Sequence, residues 1–412
     1  MPGKILIVDG ISTNRIVLKV KLSAAYYDVY QAASAAEALT AVRDLQPDLM
    51  LVSDRLPDMS GTELCRLLRD QADAAPTPII LLSPQRDSEF RLAALEAGAD
   101  DVLVKPSDDK LLLARLRSLL RTRATTDELH LREGTNRALG FAEARVNFDH
   151  TARVLLVTAE QTLAMKWAAA VQRINPASLS TTPLRDVFPH LTTSPLPDAI
   201  VLGLDQPNAE TAMRLMADLR ARAETRYIPV LVVLSRAQQQ LASDALDLGA
   251  NDMMGNGFDA GEMALRLERL VRQKHSADRL RIDMRDGLMA AVIDPLTGLF
   301  NRRYAMPHLA RMVDTAQQKQ RNFAVMLADL DHFKQVNDKY GHAAGDAVLV
   351  AVSRALKHNL RAIDLAARIG GEEFLIAMPD TDHTAAKIAA KRLCDIVQSM
   401  PIQLPNQAGV IH

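Results

Sequence analysis

The chain has 412 residues, 48% of them hydrophobic and 4% aromatic, which is enough for about three domains of ordinary size, each with its own core. Lys and Arg number 49 against 50 Asp and Glu, so no global field draws the chain to nucleic acid or to an anionic membrane surface, and partners are to be sought at local sites. Cys65 and Cys394 lie far apart without CxxC spacing, which argues for a reducing compartment and packing roles and against a disulfide framework or a zinc site. The opening MPGKILIVDG has no apolar signal core, and no later stretch approaches the ~18 apolar residues of a bilayer span, so a soluble cytoplasmic protein is expected.

From the amino terminus, the short apolar runs KILIVDG, PDLMLVSD, TPIILLS and DDVLVKP alternate with amphipathic stretches, the pattern of parallel strands joined by helices. About 150 residues later a similar series returns as RVLLVTAE, PDAIVLGLD, IPVLVVLS and NDMMGNG, with LEAGADD and LDLGAND ahead of the last members. The first third is therefore duplicated and diverged. Each copy is expected to form a doubly wound α/β sheet with its functional groups at the carboxyl ends of the strands. The stretch NPASLSTTPLRDVFPHLTTSPLPD, rich in Pro, Ser and Thr, reads as loop with at most short helical pieces. Residues 108–140 and 259–293 read as long connector helices; in the second, Leu270, Ala277, Met284 and Ala291 recur every seven residues with Leu280 between them, the pattern of a two-helix stalk or of a helix packed on its own domain. The expected domains are 1–140, 151–275, a linker helix 276–293, and 294–412.

The first copy resembles a two-component receiver of the flavodoxin-like class, on Asp9, Pro47 with Asp48, Ser83, and Lys105 with Pro106. The resemblance implies a Mg²⁺ and phosphoacceptor site, yet Asp9 is followed by Gly10 where a second carboxylate is usual. Counting from Pro47 puts Ser53 at the acceptor position, with Asp54 one place out. Strand alternation turns Asp54 away from Asp9 and Lys105 unless the strand has already ended, leaving either a substitute acceptor or a solvated loop carboxylate. The second copy carries Thr158 and Ala159 at the acidic pair, Gly203 at the acceptor and Asn256 at the Lys position, too few charged oxygens to chelate a hard cation. An adaptor, a dimerisation module or a spacer is what remains for it.

From Asp294 onward DPLTGLFNRR, ADLDHFKQVNDKYGHAAGD and ARIGGEEFLIAMPD stand in the order and spacing of a diguanylate cyclase of the GGDEF family, in a GGEEF variant. NFAVMLADLD reads as a buried strand delivering Asp329 and Asp331 at its exit, and ARIGGEEFLIAMP as two strands joined at Gly370, Gly371 and Glu372. The resemblance implies an α+β cyclase domain and the joining of two GTP molecules into cyclic di-GMP. It makes Asp329, Glu372 and the carbonyl of Leu330 ligands of Mg²⁺, with Mn²⁺ as the alternative. Glu372 would also act as general base, Lys334 would offset phosphate charge, Asn337 and Asp346 would read guanine, and His342, Gly370 and Gly371 would touch substrate, with Glu373 as part of the motif. Arg361 and Asp364, joined by Arg392, resemble the family's inhibitory site for its own product. Members of the family continue through a further strand and a helix bearing phosphate-facing cations, and no segment after Met400 supplies these, which implies reduced or absent activity.

The resemblance as a whole is to response regulators with two receiver domains ahead of a cyclase. It implies a homodimer, because each site holds one GTP and two sites must face each other, and an upstream histidine kinase. Two other classes remain open on the sequence: a cyclic di-GMP receptor or scaffold using Arg361 and Asp364, and a phosphorelay output acting through Asp54.

Overall fold

The computed structural model describes residues 3–70, 77–85, 87–138, 151–175, 177–204, 208–404 and 410–411; the side chains of 129–138, 283–288, 290 and 411 lie outside that description. Runs such as Ile5–Val8 and Leu49–Val52 are apolar on both faces, which suits parallel strands covered by helices on either side, and every one of these residues is fully buried. The first domain comprises β1 (Lys4–Val8), α1 (Ser12–Ala24), β2 (Asp28–Ala32), α2 (Ala35–Leu45), β3 (Leu49–Ser53), α3 (Gly61–Asp70), β4 (Ile79–Ser83), α4 (Ser88–Glu96), β5 (Asp101–Val104) and α5 (Asp109–Ala138). Its parallel sheet runs β2-β1-β3-β4-β5.

The second domain repeats the plan with β6 (Arg153–Thr158), α6 (Gln161–Val171), β7 (Ser178–Pro183), α7 (Val187–Thr193), β8 (Ala199–Leu204), α8 (Ala209–Ala221), β9 (Val230–Leu234), α9 (Ala242–Asp247), β10 (Asp252–Met254) and α10 (Ala260–Val292). Its order, β10-β9-β8-β6-β7, is the first sheet's order read from the other end. The expectation of loop at 178–183 fails here. SLSTTP pairs along its whole length with β6 at the sheet edge, where backbone hydrogen bonds rather than apolar side chains hold a strand in place. The two long helices match the expected connectors. Leu270, however, is 2% exposed and packs in the second domain's core with Met263 and Leu267, so the first heptad position belongs to its own domain. The Met284 side chain lies outside the described residues.

Both copies carry the same clamp. Arg69 Nε donates to the carbonyl of Gly98 at 2.8 Å, and Arg220 Nε to that of Gly249 at 3.0 Å. The two domains also meet through reciprocal contacts between matching residues, as in an isologous interface. Arg115 of α5 reaches Asp252 at 2.6 Å, and Arg266 of α10 reaches Asp101 at 2.8 Å. Each arginine also holds the aspartate of its own copy, at 2.7 Å for Arg115–Asp101 and 2.6 Å for Arg266–Asp252. Arg269 adds a short contact to Asp252. Burial alone would raise the two carboxyls, but the surrounding guanidinium groups outweigh it and hold both below the usual carboxylate range.

The third domain contains β11 (Phe300–Asn301), α11 (Arg302–Lys319), β12 (Phe323–Asp329), α12 (Phe333–Tyr340), α13 (His342–Asn359), β13 (Leu365–Arg368), β14 (Glu373–Pro379), α14 (His383–Ser399), β15 (Ile402–Gln403) and β16 (Val410–Ile411). Its main sheet is mixed, β11-β13-β14-β12, while β15 and β16 pair only with each other. β12 is not the buried strand expected from NFAVMLADLD. It lies at the sheet edge with one face on the core through Ala324 and Met326, while Val325 and Leu327 are 45% and 73% exposed. Among the described residues no helix is long and apolar enough to cross a membrane. Cys65 is buried, which pushes its thiol up to about 12, whereas Cys394 is exposed and does not pack as expected.

Candidate active site

At the strand ends of the first domain, the position counted as acceptor is the one that meets the lysine. Lys105 Nζ donates to Ser53 Oγ at 3.0 Å and to Asp9 Oδ2 at 2.7 Å. Asp9 also accepts from the Ile11 amide and from Asn14. Asp54 follows the end of β3 and takes a different partner, accepting from Ser83 Oγ at 2.8 Å. At 7% exposure it is no solvated loop carboxylate. In the second domain a Cβ on Gly203 would meet Thr158 at 3.0 Å and the Trp167 ring at 3.3 Å. Trp167 in turn stacks on Phe258, so apolar rings crowd the position where a receiver would hold its acceptor.

In the third domain three local features gather the sequence motifs at one end of the sheet. The first is register: β12 runs antiparallel to β14 and sets Asp329 directly across from Glu373, with Glu372 in the bend one residue before. Directly opposed residues on neighbouring strands hold their Cβ atoms about 5 Å apart on one face, so it is Glu373, treated as motif filler on the sequence, that lies across from Asp329. The second is a turn: His332 at φ 62 takes the left-handed conformation and turns the chain from β12 straight into α12, which carries Lys334 and Asn337. The third is Gly341, at φ 83 and ψ 163, where only glycine is at ease. It starts α13, which places His342 in its first turn and Asp346 one turn later. Asp329, Lys334, His342 and Asp346 are exposed, and Asn337 and Glu372 are half-buried.

Residues 291–411 match the family described as diguanylate cyclase, GGDEF domain, and residues 5–117 match the response regulator receiver domain. Over its whole length the chain is 35% identical to "Response regulator PleD" of Caulobacter vibrioides, covering 90% of that protein. The chain belongs to the PleD-type response regulators. It thus combines receiver and GGDEF diguanylate cyclase domains in one polypeptide. Diguanylate cyclase DgcP of Pseudomonas aeruginosa is 30% identical over 50% of the chain and 30% of its own length. Probable diguanylate cyclase DgcT of Escherichia coli is 40% identical over 28% of the chain and 25% of its own length.

In this PleD-type chain the hairpin is held by a residue that the sequence reading passed over. Arg368 donates to the carbonyl of Gly371 at 3.1 and 2.7 Å and reaches Asp294 at 3.2 Å. Asp294 accepts from the Thr297 amide at 2.9 Å and hydroxyl at 2.7 Å. Burial works against its charge, but these donors and Arg368 hold its carboxyl below the ordinary range. The adjacency of Arg368 to IGGEEF was the available signal; its partner Asp294, far earlier in the chain, gave none. Arg361 and Asp364 are drawn together by the Arg361 amide, which donates to Asp364 Oδ2 at 2.8 Å. Arg392, from α14, donates to the carbonyl of Asn359 at 2.8 Å, which brings its guanidinium to the segment just before Arg361. Asp364 Oδ1 is buried without a hydrogen-bond partner.

The donor set suits a metal that shares its shell with substrate. Among the described residues no group of three His, Cys, Asp or Glu side chains is assembled to hold an ion alone. The end of the β12–β14 pair offers Asp329, the bend carboxylate Glu372 and the carbonyl of Leu330, which accepts from the Phe333 amide at a long 3.4 Å. Mg²⁺ commonly takes one or two carboxylates and completes six-fold coordination with water and phosphate oxygens.

Proposed function

We propose that the third domain condenses two GTP molecules into cyclic di-GMP and two pyrophosphates, as a Mg²⁺-dependent homodimer restrained by its own product. The observation that carries this reading is the antiparallel register of β12 and β14, which sets Asp329 across from Glu373 and so brings it to the end of the hairpin where Glu372 occupies the adjoining bend. In each half-reaction the 3′-oxygen of one GTP bonds to the α-phosphorus of the other, and the bond from that phosphorus to the bridging oxygen of pyrophosphate breaks. Mg²⁺, with Mn²⁺ as a substitute, supplies charge neutralisation when bound to Asp329, Glu372 and the Leu330 carbonyl. Glu372 takes the proton from the attacking hydroxyl and passes it to water. Lys334 offsets charge on the departing phosphates, and His342 contacts substrate nearby. Gly371 leaves the hairpin backbone open to a purine and its phosphates, and Gly370 does the same once the flexible Glu373 carboxylate that covers it turns aside. Asn337 and Asp346 together satisfy guanine O6, N1–H and N2–H, which adenine would leave mispaired. One chain binds one GTP, so two chains must face each other.

Incubating the full chain with GTP and Mg²⁺ and resolving the nucleotides tests the reading. Cyclic di-GMP with two equivalents of pyrophosphate is expected. Bound cyclic di-GMP without turnover would point instead to a receptor built on the same domain. The second site favours restraint by product: Arg361 and Arg392 can hold phosphate or guanine edges, and Asp364 Oδ1 still lacks a donor. Arg361→Ala is expected to raise the cyclic di-GMP concentration that halves the rate by about tenfold, the loss of a charge-assisted hydrogen bond, while leaving the uninhibited rate within about twofold. An unchanged inhibition curve would remove Arg361 from the site. On the receiver side we infer that an upstream histidine kinase acts on the first domain. Its acceptor is then Asp54, because Ser53 presents a hydroxyl to Lys105 and a receiver aspartyl phosphate needs a carboxylate.

A further inference from the structure

Gly345 stands in the first turns of α13, immediately before Asp346, and is buried. It is not among the glycines with positive φ, so its backbone does not demand glycine, and a helix would gain from alanine at this position. Space explains it. A Cβ on Gly345 would lie 2.0 Å from Asn337 Oδ1, 2.9 Å from Asn337 Cγ and 3.1 Å from Phe333 Cζ. The Asn337 carboxamide therefore points its oxygen into the space that a side chain at Gly345 would fill. Its own backbone is pinned as well, since Asn337 O accepts from the Gly341 amide at 2.8 Å at the turn between α12 and α13. Phe333, beneath, is 8% exposed and fixed in the core with Val348 and Leu349, so it cannot make room. If a methyl group is added, the group free to move is the Asn337 side chain.

We propose that Gly345 is a positioning residue that sets base specificity: its missing side chain holds the Asn337 carboxamide against α13 beside Asp346, at the spacing a guanine edge requires. The proposal rests on the reading of Asn337 and Asp346 given above and adds what fixes their separation. It accounts for a glycine in a helix where neither a turn nor a cap asks for one. The effect is indirect, through Asn337, so two signatures set it apart from a general loss of fold. It acts on nucleotide affinity more than on turnover, and it vanishes when Asn337 is already gone.

The test is a double-mutant cycle in the full chain with Gly345→Ala, Asn337→Ala and the double variant, measuring calorimetric Kd, KM and kcat with GTP and with inosine triphosphate, which lacks the guanine 2-amino group. For Gly345→Ala the Kd and KM for GTP are expected to rise roughly tenfold, with kcat changed about twofold or less and the preference for GTP over inosine triphosphate reduced. Adding Gly345→Ala to Asn337→Ala is expected to cost about twofold or less, because the group it displaces is absent. Equal GTP affinity in Gly345→Ala and the parent, or independent effects that multiply in the double variant, would overturn the proposal. Gly345→Ser, whose side chain begins with the same Cβ, is expected to reproduce the alanine result, and wild-type affinity in that variant would count equally against it. A parent chain that binds GTP without turning it over would defeat the cyclase reading and leave the cycle decidable from Kd alone. A parent that binds no GTP would overturn both.

Discussion

Glu372→Gln is expected to lower cyclic di-GMP formation by about 10³-fold, and Asp329→Asn by a similar factor, with the thermal midpoint of each within about 2 °C of the parent. Both changes keep the side-chain shape and remove a charge at positions that are half-buried and exposed, so little of the core is disturbed. The loss falls on the reaction because a phosphoryl transition state rich in negative charge depends on the cation these oxygens would hold. For Glu372 the general base is lost as well. Glu373→Gln is the informative control. Glu373 stands directly across from Asp329, and its carboxylate folds back over Gly370, where an added Cβ would fall 2.3 Å from its Oε2. Its amide variant is expected to keep activity within about tenfold. If instead Glu373→Gln lost activity by about 10³-fold while Glu372→Gln kept it, the metal would belong to the register partner of Asp329 and the assignment to Glu372 would be wrong.

Asp252→Ala is expected to destabilise the receiver pair by about 3–5 kcal/mol, read as an earlier first transition in urea. Asp252 is fully buried, and its removal leaves Arg115, also fully buried, and Arg266, 3% exposed, without their shared carboxylate. Arg115 is then left with Asp101, and Arg266 with Asp101 and Glu262, so the excess of positive charge in the interior, rather than the lost contact as such, makes the penalty large. The same network sets a pH dependence. Asp101 and Asp252 bind protons less readily in the folded chain than in the unfolded one, where a carboxyl titrates near pH ~3.9. Their contribution is therefore complete above that value and is withdrawn as pH falls beneath it. Unfolding midpoints of the first transition are expected to stay level between about pH 7 and 5 and to drop below about pH 4, and Asp252→Ala should show the shallower drop. A parent chain equally stable at pH 3 and pH 7 would contradict this.

The pairing of the two receiver domains also bears on how divergence was tolerated. The second copy has exchanged its acidic strand end for Thr158, Gly203 and a stacked Trp167, but keeps Asp252 and Arg266, the residues that mirror Asp101 and Arg115 across the contact. What persists in the second copy is the contact with the first domain rather than the chemistry of a receiver.

Several features were legible in the sequence alone. Apolar runs bounded by acidic and glycine residues set out the strands of both receivers, because a parallel strand buried on both faces has no polar position to disguise it. The repeat announced two similar sheets, and three motifs in fixed order announced the cyclase domain. These signals are short-range: each is carried by residues within a few positions of one another. Tertiary structure decided whatever depends on partners distant in the chain. Alternation along a strand could set Ser53 against Asp54, but only packing showed Lys105 reaching Ser53 and Asp54 buried against Ser83. Arg115 and Arg266 look like solvent-facing charges in helices rich in Leu, Arg and Glu until the second domain supplies the opposing aspartate. β7 was invisible because an edge strand is held by backbone hydrogen bonds, which leave no apolar signature. The cross-strand partner of Asp329 and the resting place of the Asn337 carboxamide on Gly345 depend on register and on how two helices meet, and neither is encoded in any local spacing.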